Sequence, residues 1–294
     1  MKPFRLEGVC TAMVTPFLNN EVNYPMMEQL LRRQIDAGIS SVVIAGTTGE
    51  SSVLSDTEKL ELFKRCKSYA GDSLIILAGT GSNDTDHAVR LSREAEKCGV
   101  DGLLVVSPYY NKATDDGLVR HYTAIAEAVN LPVILYNVPS RTGLDIPVEV
   151  YRILSEIPNI IGVKEAVTDV RKLIRIRNVC GPDFRIWCGN DDLTTAMLAL
   201  GACGVISVVS NLLPDVMQTL CIASLTGNND TASSIQCALQ PFLDALFLDV
   251  NPVPIKYGMK LAGFDCGCCR LPLGEGSPKM MRQLTEAMQN YRIS

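Results

Sequence analysis

The stretch "IIGVKEA", residues 160–166, places a lysine at the end of a run of buried-strand character. Ile160, Ile161 and Val163 are apolar and β-branched, as in a strand covered on both faces. A dry, unpaired ammonium at the end of such a strand costs several kcal/mol. Lys164 therefore either pairs with Glu165 as a structural ion pair or is held there to do chemistry. A strand buried on both faces also implies a parallel sheet wrapped in helices.

Seven further apolar runs carry the same signature: "CTAMVTP" near 10, "SSVVIAG" near 40, "SLIILAG" near 73, "GLLVVSP" near 102, "PVILYNV" near 132, "FRIWCG" near 184 and "GVISVVS" near 204. Helical segments separate them. Ser55 and Glu58 form a capping box, and Gly38, Gly99 and Gly201 stand at C-cap positions. Leu91, Ala95 and Cys98 repeat at helical spacing, as do Leu118, Tyr122 and Ile125. Eight alternations predict an α/β fold, a (β/α)8 TIM barrel, rather than a doubly wound open sheet. After residue 227 the strand signal stops, which predicts a catalytic barrel over 1–227 and a C-terminal helical domain over 228–294.

The chain has 294 residues, 47% of them hydrophobic and 20% charged, with net charge −5. Mild acidity without a basic run argues against nucleic acid as partner. The start "MKPFRLEGVC" has no apolar h-region, so a cytoplasmic location is expected. The uncharged stretch Leu193–Pro214 is long enough to span a membrane, but Gly201, Gly204, Ser207, Ser210 and Asn211 interrupt it. It reads better as a buried helix, a turn and a strand of a soluble protein. Eleven cysteines without a secretory signal are expected to be reduced. The cluster "CGCC" at 266–269 lacks the partners of a zinc site, and local thiol reactivity is the expectation there.

In such a barrel the functional groups gather at the carboxyl ends of the strands. Those ends carry "GTTGE" (46–50), "SPYYN" (107–111), "LYNVPSRTG" (135–143), Lys164, "CGND" (188–191) and the region of Ile206. "GTTGE" is either an ordinary βα turn or a nest for a carboxylate or phosphate, with Thr47 and Thr48 beside it. Neither it nor "GTGSND" (79–84) matches a nucleotide loop. "SVVSNLLPD" lacks the glycines that hold phosphate in barrels, which favours a free keto acid. The two histidines, His87 and His121, lie on different predicted helices, so a zinc-dependent aldol mechanism is disfavoured and no metal is expected. Burial makes an amine easier to deprotonate, and a neutral lysine forms a Schiff base with a ketone. Tyr136, on the neighbouring strand end, is placed to shuttle protons. Successive strand residues face opposite ways, so Lys164 and Glu165 diverge.

"GTTGE", "YYN", "YNVPSRTG" and "GVKEA", in this order and spacing, together resemble the dihydrodipicolinate synthase/N-acetylneuraminate lyase family over essentially the whole chain, including "NPVPIKYGMKLAG" (251–263). The resemblance implies a homotetrameric barrel that binds pyruvate as a Schiff base, with no metal and no organic cofactor. It assigns the Schiff base to Lys164 and the proton relay to Tyr136, Thr47 and Tyr110, the last reaching in from a neighbouring subunit. Thr48, with Thr47, would hold the pyruvate carboxylate, Arg141 that of the incoming aldehyde, and the backbone of Gly189 and Ile206 would line the pocket. Arg141, within "PSRTG", favours condensation with L-aspartate-4-semialdehyde, toward diaminopimelate and lysine, over cleavage of sialic acid or a 2-keto-3-deoxy sugar acid. A catalytically silent barrel would be expected to have lost Lys164, Tyr136 or Tyr110.

The chain departs from the family at the end-product site of lysine-inhibited members. Asn83 and Tyr109 match, but His87 replaces a glutamate, and Asp56 and Lys59 replace histidines. A cation at Lys59 and loss of the acid at 87 imply weak or absent feedback by lysine.

Overall fold

Residues 6–291 are described by the computed structural model. The predicted runs become eight parallel strands: β1 (Gly8–Ala12), β2 (Ser41–Ile44), β3 (Ile75–Gly79), β4 (Gly102–Val106), β5 (Val133–Asn137), β6 (Ile160–Glu165), β7 (Arg185–Cys188) and β8 (Gly204–Ser207). Each pairs with its sequence neighbours, and β8 pairs with β1 to close the barrel. β1 ends earlier than its apolar run, because Met13–Pro16 leaves the sheet toward a two-residue hairpin ladder, Phe17–Leu18 with Glu21–Val22.

Helices α1 (Tyr24–Asp36), α2 (Asp56–Ala70), α3 (Thr85–Lys97), α4 (Asp115–Glu127), α5 (Val148–Leu154), α6 (Arg171–Cys180), α7 (Thr194–Ala199) and α8 (Pro214–Leu225) cover the outside. The capping box at Ser55 and Glu58 forms as read, and Gly38, Gly99 and Gly201 all adopt positive φ. The Leu193–Pro214 stretch becomes α7, a turn and β8, and no helix among the described residues is long and apolar enough to cross a membrane.

Alternation along the strands divides the apolar residues into two cores. The outer one joins strands to helices. The inner one fills the barrel with Cys10, Val43, Leu77, Leu104, Ile134 and Trp187, among others. Trp187 closes the floor by donating its indole N–H to the Leu6 carbonyl at 2.8 Å.

Three helices follow: α9 (Asn229–Leu246), α10 (Val253–Leu261) and α11 (Pro278–Asn290). They pack on α8 and on one another, and the segments between them return to the barrel mouth. There Arg270 grips Glu58 at 2.6 Å, and that hydrogen bond holds the Glu58 carboxyl down at about 2. The "CGCC" segment lies beside it. Burial pushes the Cys266 and Cys269 thiols up to about 12, so the expected reactivity does not extend to these two. Cys268 is exposed.

His121 is packed under α3, with Nδ1 2.9 Å from the Thr85 hydroxyl and Nε2 buried without a partner among the described residues. Burial lowers its pKa to about 4, against a smaller opposing pull from Asp84. Between the unfolded value near 6.5 and this value, the unfolded chain binds a proton that the native chain refuses. Stability therefore falls as pH drops through that window, by up to about 3 kcal/mol. Urea unfolding across pH 7 to 4 is expected to reveal this loss, and His121→Leu to remove its His121 component.

Candidate active site

β5 and β6 pair in a register that sets Tyr136 opposite Lys164 and Asn137 opposite Glu165. Lys164 and Tyr136 face into the barrel, while Glu165 faces out. The lysine's Nζ sits 4.5 Å from the centre of the Tyr136 ring. Lys164 is only 5% exposed, yet no carboxylate stands within ion-pair distance of it among the described residues.

Glu165 is occupied behind the sheet. Its carboxylate accepts hydrogen bonds from Asn137 at 2.6 Å and from the Tyr151 hydroxyl at 3.0 Å, with Lys172 3.6 Å away. Burial raises its pKa to about 7, against the opposing pull of Lys172. The acid beside Lys164 in sequence thus stitches β5 and β6 to α5 and α6, and the lysine is left to the cavity.

That cavity, of about 760 Å³, opens at the carboxyl end of the barrel. Thr47, Thr48, Tyr136, Arg141, Lys164 and Gly189 all line it. Ile206 does not. It is fully buried in the inner core, and Val208 forms the wall beyond β8. Tyr110 is also outside, 91% exposed and held at φ 73°, an unusual conformation for a non-glycine residue.

The "GTTGE" turn packs tightly against the end of β3. Gly79, at the end of β3, passes so close that a Cβ there would lie 2.2 Å from the Ala45 carbonyl oxygen. A Cβ at Gly81 would likewise lie 2.4 Å from the Val106 backbone nitrogen, so packing, rather than a nucleotide, accounts for both glycines of "GTGSND". Ala45 and Glu50 bracket the turn at φ 52° and 57°, a strained pair for residues with side chains. The surroundings hold it in place. Lys256 of α10 donates to Glu50 at 2.8 Å, both side chains being almost wholly buried. The backbone N–H of Arg270 donates to the other Glu50 oxygen at 2.9 Å.

Two residues that the sequence reading left without a role join the wall, and a third supports it. Asn251, from the C-terminal segment, donates its Nδ2–H to the Thr48 hydroxyl at 3.0 Å. Its carbonyl accepts from the Arg141 guanidinium at 3.1 Å. Asp191 accepts from the backbone N–H groups of Val208 and Val209, and burial raises its pKa despite the pull of Lys164 and these hydrogen bonds. Lys256 acts from behind. Asn251 and Lys256 stand in "NPVPIKYGMKLAG", but no local pattern ties that segment to a turn some two hundred residues away.

A second cavity of about 650 Å³ shares Thr47, Tyr136 and Arg141 with the first and extends to Asn83, Tyr109, Asp56, Lys59 and His87. Here His87 is tied to Asp56 at 2.9 Å and to Ser82 at 3.1 Å. Lys59 is buried, which lowers its pKa, with Asp56 partly offsetting the effect. No group of three or more His, Cys, Asp or Glu residues able to hold a metal ion occurs among the described residues.

Breaking a buried ion pair from one side strands the remaining charge and costs about 3–5 kcal/mol. Glu50→Ala is expected to lower stability by that order, measured by chemical denaturation. Catalytic efficiency should fall further than the remaining folded fraction accounts for, because the Thr47–Thr48 turn loses its anchor.

Residues 5–291 match the model of the dihydrodipicolinate synthetase family. The 4-hydroxy-tetrahydrodipicolinate synthase of Acetivibrio thermocellus is 43% identical over 286 residues, 97% of each chain. The synthase structure from Methylacidiphilum fumariolicum SolV superposes with TM-score 0.96 at 39% identity, covering 98% of this chain and 96% of its own. The lysine-bound enzyme of Cyanidioschyzon merolae superposes with TM-score 0.95 at 38% identity, covering 98% and 99%. With a family model spanning nearly its full length and relatives at this level of identity, the chain belongs to the dihydrodipicolinate synthetase family.

Proposed function

We propose that the chain condenses pyruvate with L-aspartate-4-semialdehyde to 4-hydroxy-tetrahydrodipicolinate, a step of diaminopimelate and lysine biosynthesis. The observation that carries the reading is Lys164: a buried amine with no acid partner among the described residues, lying over Tyr136 in a cavity also walled by two threonines and an arginine.

The chemistry follows from those groups. The Lys164 amine adds to the ketone of pyruvate, and loss of water leaves a protonated Schiff base. That cation is an electron sink, so a proton leaves the methyl carbon and an enamine forms. The enamine carbon attacks the aldehyde, whose oxygen takes up a proton. The amine of the second substrate then adds to the imine carbon and closes the ring, releasing Lys164. Tyr136 carries the protons, with Thr47 and Tyr110 completing the relay. Thr47 and Thr48 hold the pyruvate carboxylate, Arg141 binds that of the aldehyde, and the backbone of Gly189 shapes the pocket. No metal or organic cofactor takes part.

Tyr110, strained and exposed in one chain, is the residue that completes the site of a neighbour in a homotetramer. Residues 1–227 form the catalytic unit and 228–294 the helical unit that buttresses it, and the enzyme works in the cytoplasm. The Asp56–His87 pair and buried Lys59 support weak or absent feedback by lysine.

Borohydride added with pyruvate is expected to fix one pyruvate on Lys164, read by mass spectrometry. Lys164→Ala should abolish both trapping and turnover, and wild-type turnover should depend on the semialdehyde and survive a chelator. Absence of trapping in the wild type would overturn the mechanism. Separately, titration with millimolar L-lysine is expected to leave most of the activity, and complete inhibition would refute the feedback reading.

A further inference from the structure

In the "YYN" motif, residues 109–111, the proton relay uses Tyr110 and leaves Asn111 without a role. Tyr110 stands at the centre of a three-residue turn, closed by the Asn111 backbone N–H donating to the Tyr109 carbonyl at 2.9 Å. Its φ of 73° is that of the rare, strained form of the γ-turn. Lys112 follows at φ 40°, so residues with side chains occupy left-handed backbone on both sides of Asn111. Tyr110 is 91% exposed, and little packing from its own chain holds it in that conformation.

A hydrogen bond takes the place of packing. Both ends of the segment are fixed: the Ser107 backbone N–H donates to the Tyr136 carbonyl at 2.9 Å, and Thr114 caps α4 by accepting from the Gly117 N–H at 3.2 Å. Between them, among the described residues, residues 108–113 make a single hydrogen bond to the rest of the chain. It is the Asn111 side chain, whose Nδ2–H donates to the Asn83 carbonyl at 2.9 Å. That carbonyl belongs to a braced segment. Asp84 accepts from the backbone N–H groups of Asp86 and His87 at the start of α3, and the Ser82 hydroxyl accepts from the Asp84 N–H at 3.2 Å. The strained turn is thus tied to a capped helix start.

We propose that Asn111 is a positioning residue of the proton relay: its side chain holds the turn at Tyr109–Asn111 in the conformation that presents the Tyr110 hydroxyl to the site of the neighbouring subunit. The inference deepens the proposed condensation and rests on it. Asn111 touches neither substrate nor the reacting atoms, and it acts on them only through Tyr110. The donor is the part that matters, because a carbonyl oxygen can only accept. An aspartate of the same size offers no proton at neutral pH and sets a second acceptor against that oxygen. Without the tether the turn relaxes toward ordinary backbone and the phenol leaves its place in the relay. A displacement of about 1 Å is enough to slow such a step by about 100-fold.

A double-mutant cycle with Tyr110→Phe tests this. kcat is measured at saturating pyruvate and semialdehyde for the wild type, Asn111→Asp, Asn111→Ala, Tyr110→Phe and both double variants, and sedimentation velocity gives the oligomeric state of each. Asn111→Asp and Asn111→Ala are each expected to lower kcat by at least about 10-fold in an unchanged oligomer, with pyruvate still trapped on Lys164 by borohydride. In the Tyr110→Phe background there is no phenol to position, and the same substitutions should lower kcat by less than about 2-fold. A merely structural role lowers kcat equally in both backgrounds. That outcome, wild-type kcat in the Asn111 variants, or a loss that accompanies dissociation of the oligomer overturns the inference and leaves the relay standing. Full activity of Tyr110→Phe defeats the relay and the inference with it, whereas absence of trapping in the wild type defeats the condensation itself.

Discussion

Two successive residues on one strand face opposite ways, and this constraint organises the whole site. Lys164 enters the barrel and Glu165 leaves it, because backbone alternation allows nothing else in a pleated strand. The acid is then absorbed by Asn137, Tyr151 and Lys172 on the outer face. Had the strand slipped by one residue, the carboxylate would enter the cavity and the amine would join the helix layer. The network around Glu165 therefore fixes the register on which the position of the lysine depends.

The remaining groups are brought to that lysine by closure. Each strand end contributes one short loop, and only the circular pairing of β1 with β8 makes the loops after β2, β5 and β7 converge on one cavity. The loop after β2 is the most demanding of these, since two residues with side chains bracket it at positive φ. The buried Glu50–Lys256 pair, with the Arg270 backbone N–H, stabilises that conformation from the C-terminal helices. The C-terminal segment also places Asn251 between Thr48 and Arg141, so the last helices belong to the site as much as to the scaffold.

Much of this was legible in the chain. Apolar β-branched runs separated by capped helices predicted the barrel, because each strand buried on both faces needs helices around it. The capping box at Ser55 and the glycine caps at Gly38, Gly99 and Gly201 depend on only a few consecutive residues, and they form where they were read. The strand ends likewise pointed to Thr47, Thr48, Tyr136, Arg141, Lys164 and Gly189, and the structure gathers these around one cavity. The reading of the "CGCC" cluster as reactive failed for Cys266 and Cys269, because burial is a property of packing and not of spacing.

By itself the sequence determined the alternation, the local caps and which residue types stand at each strand end, since all of these are set by neighbours within a few positions. The tertiary structure alone decided what those groups meet. Glu165 finds Asn137 and Tyr151, Glu50 finds Lys256 across two hundred residues, and Asn251 arrives between Thr48 and Arg141. Such pairings carry no periodicity that a sequence could display. They follow from the closing of the barrel and the return of the chain to its mouth, which bring distant segments within hydrogen-bond range.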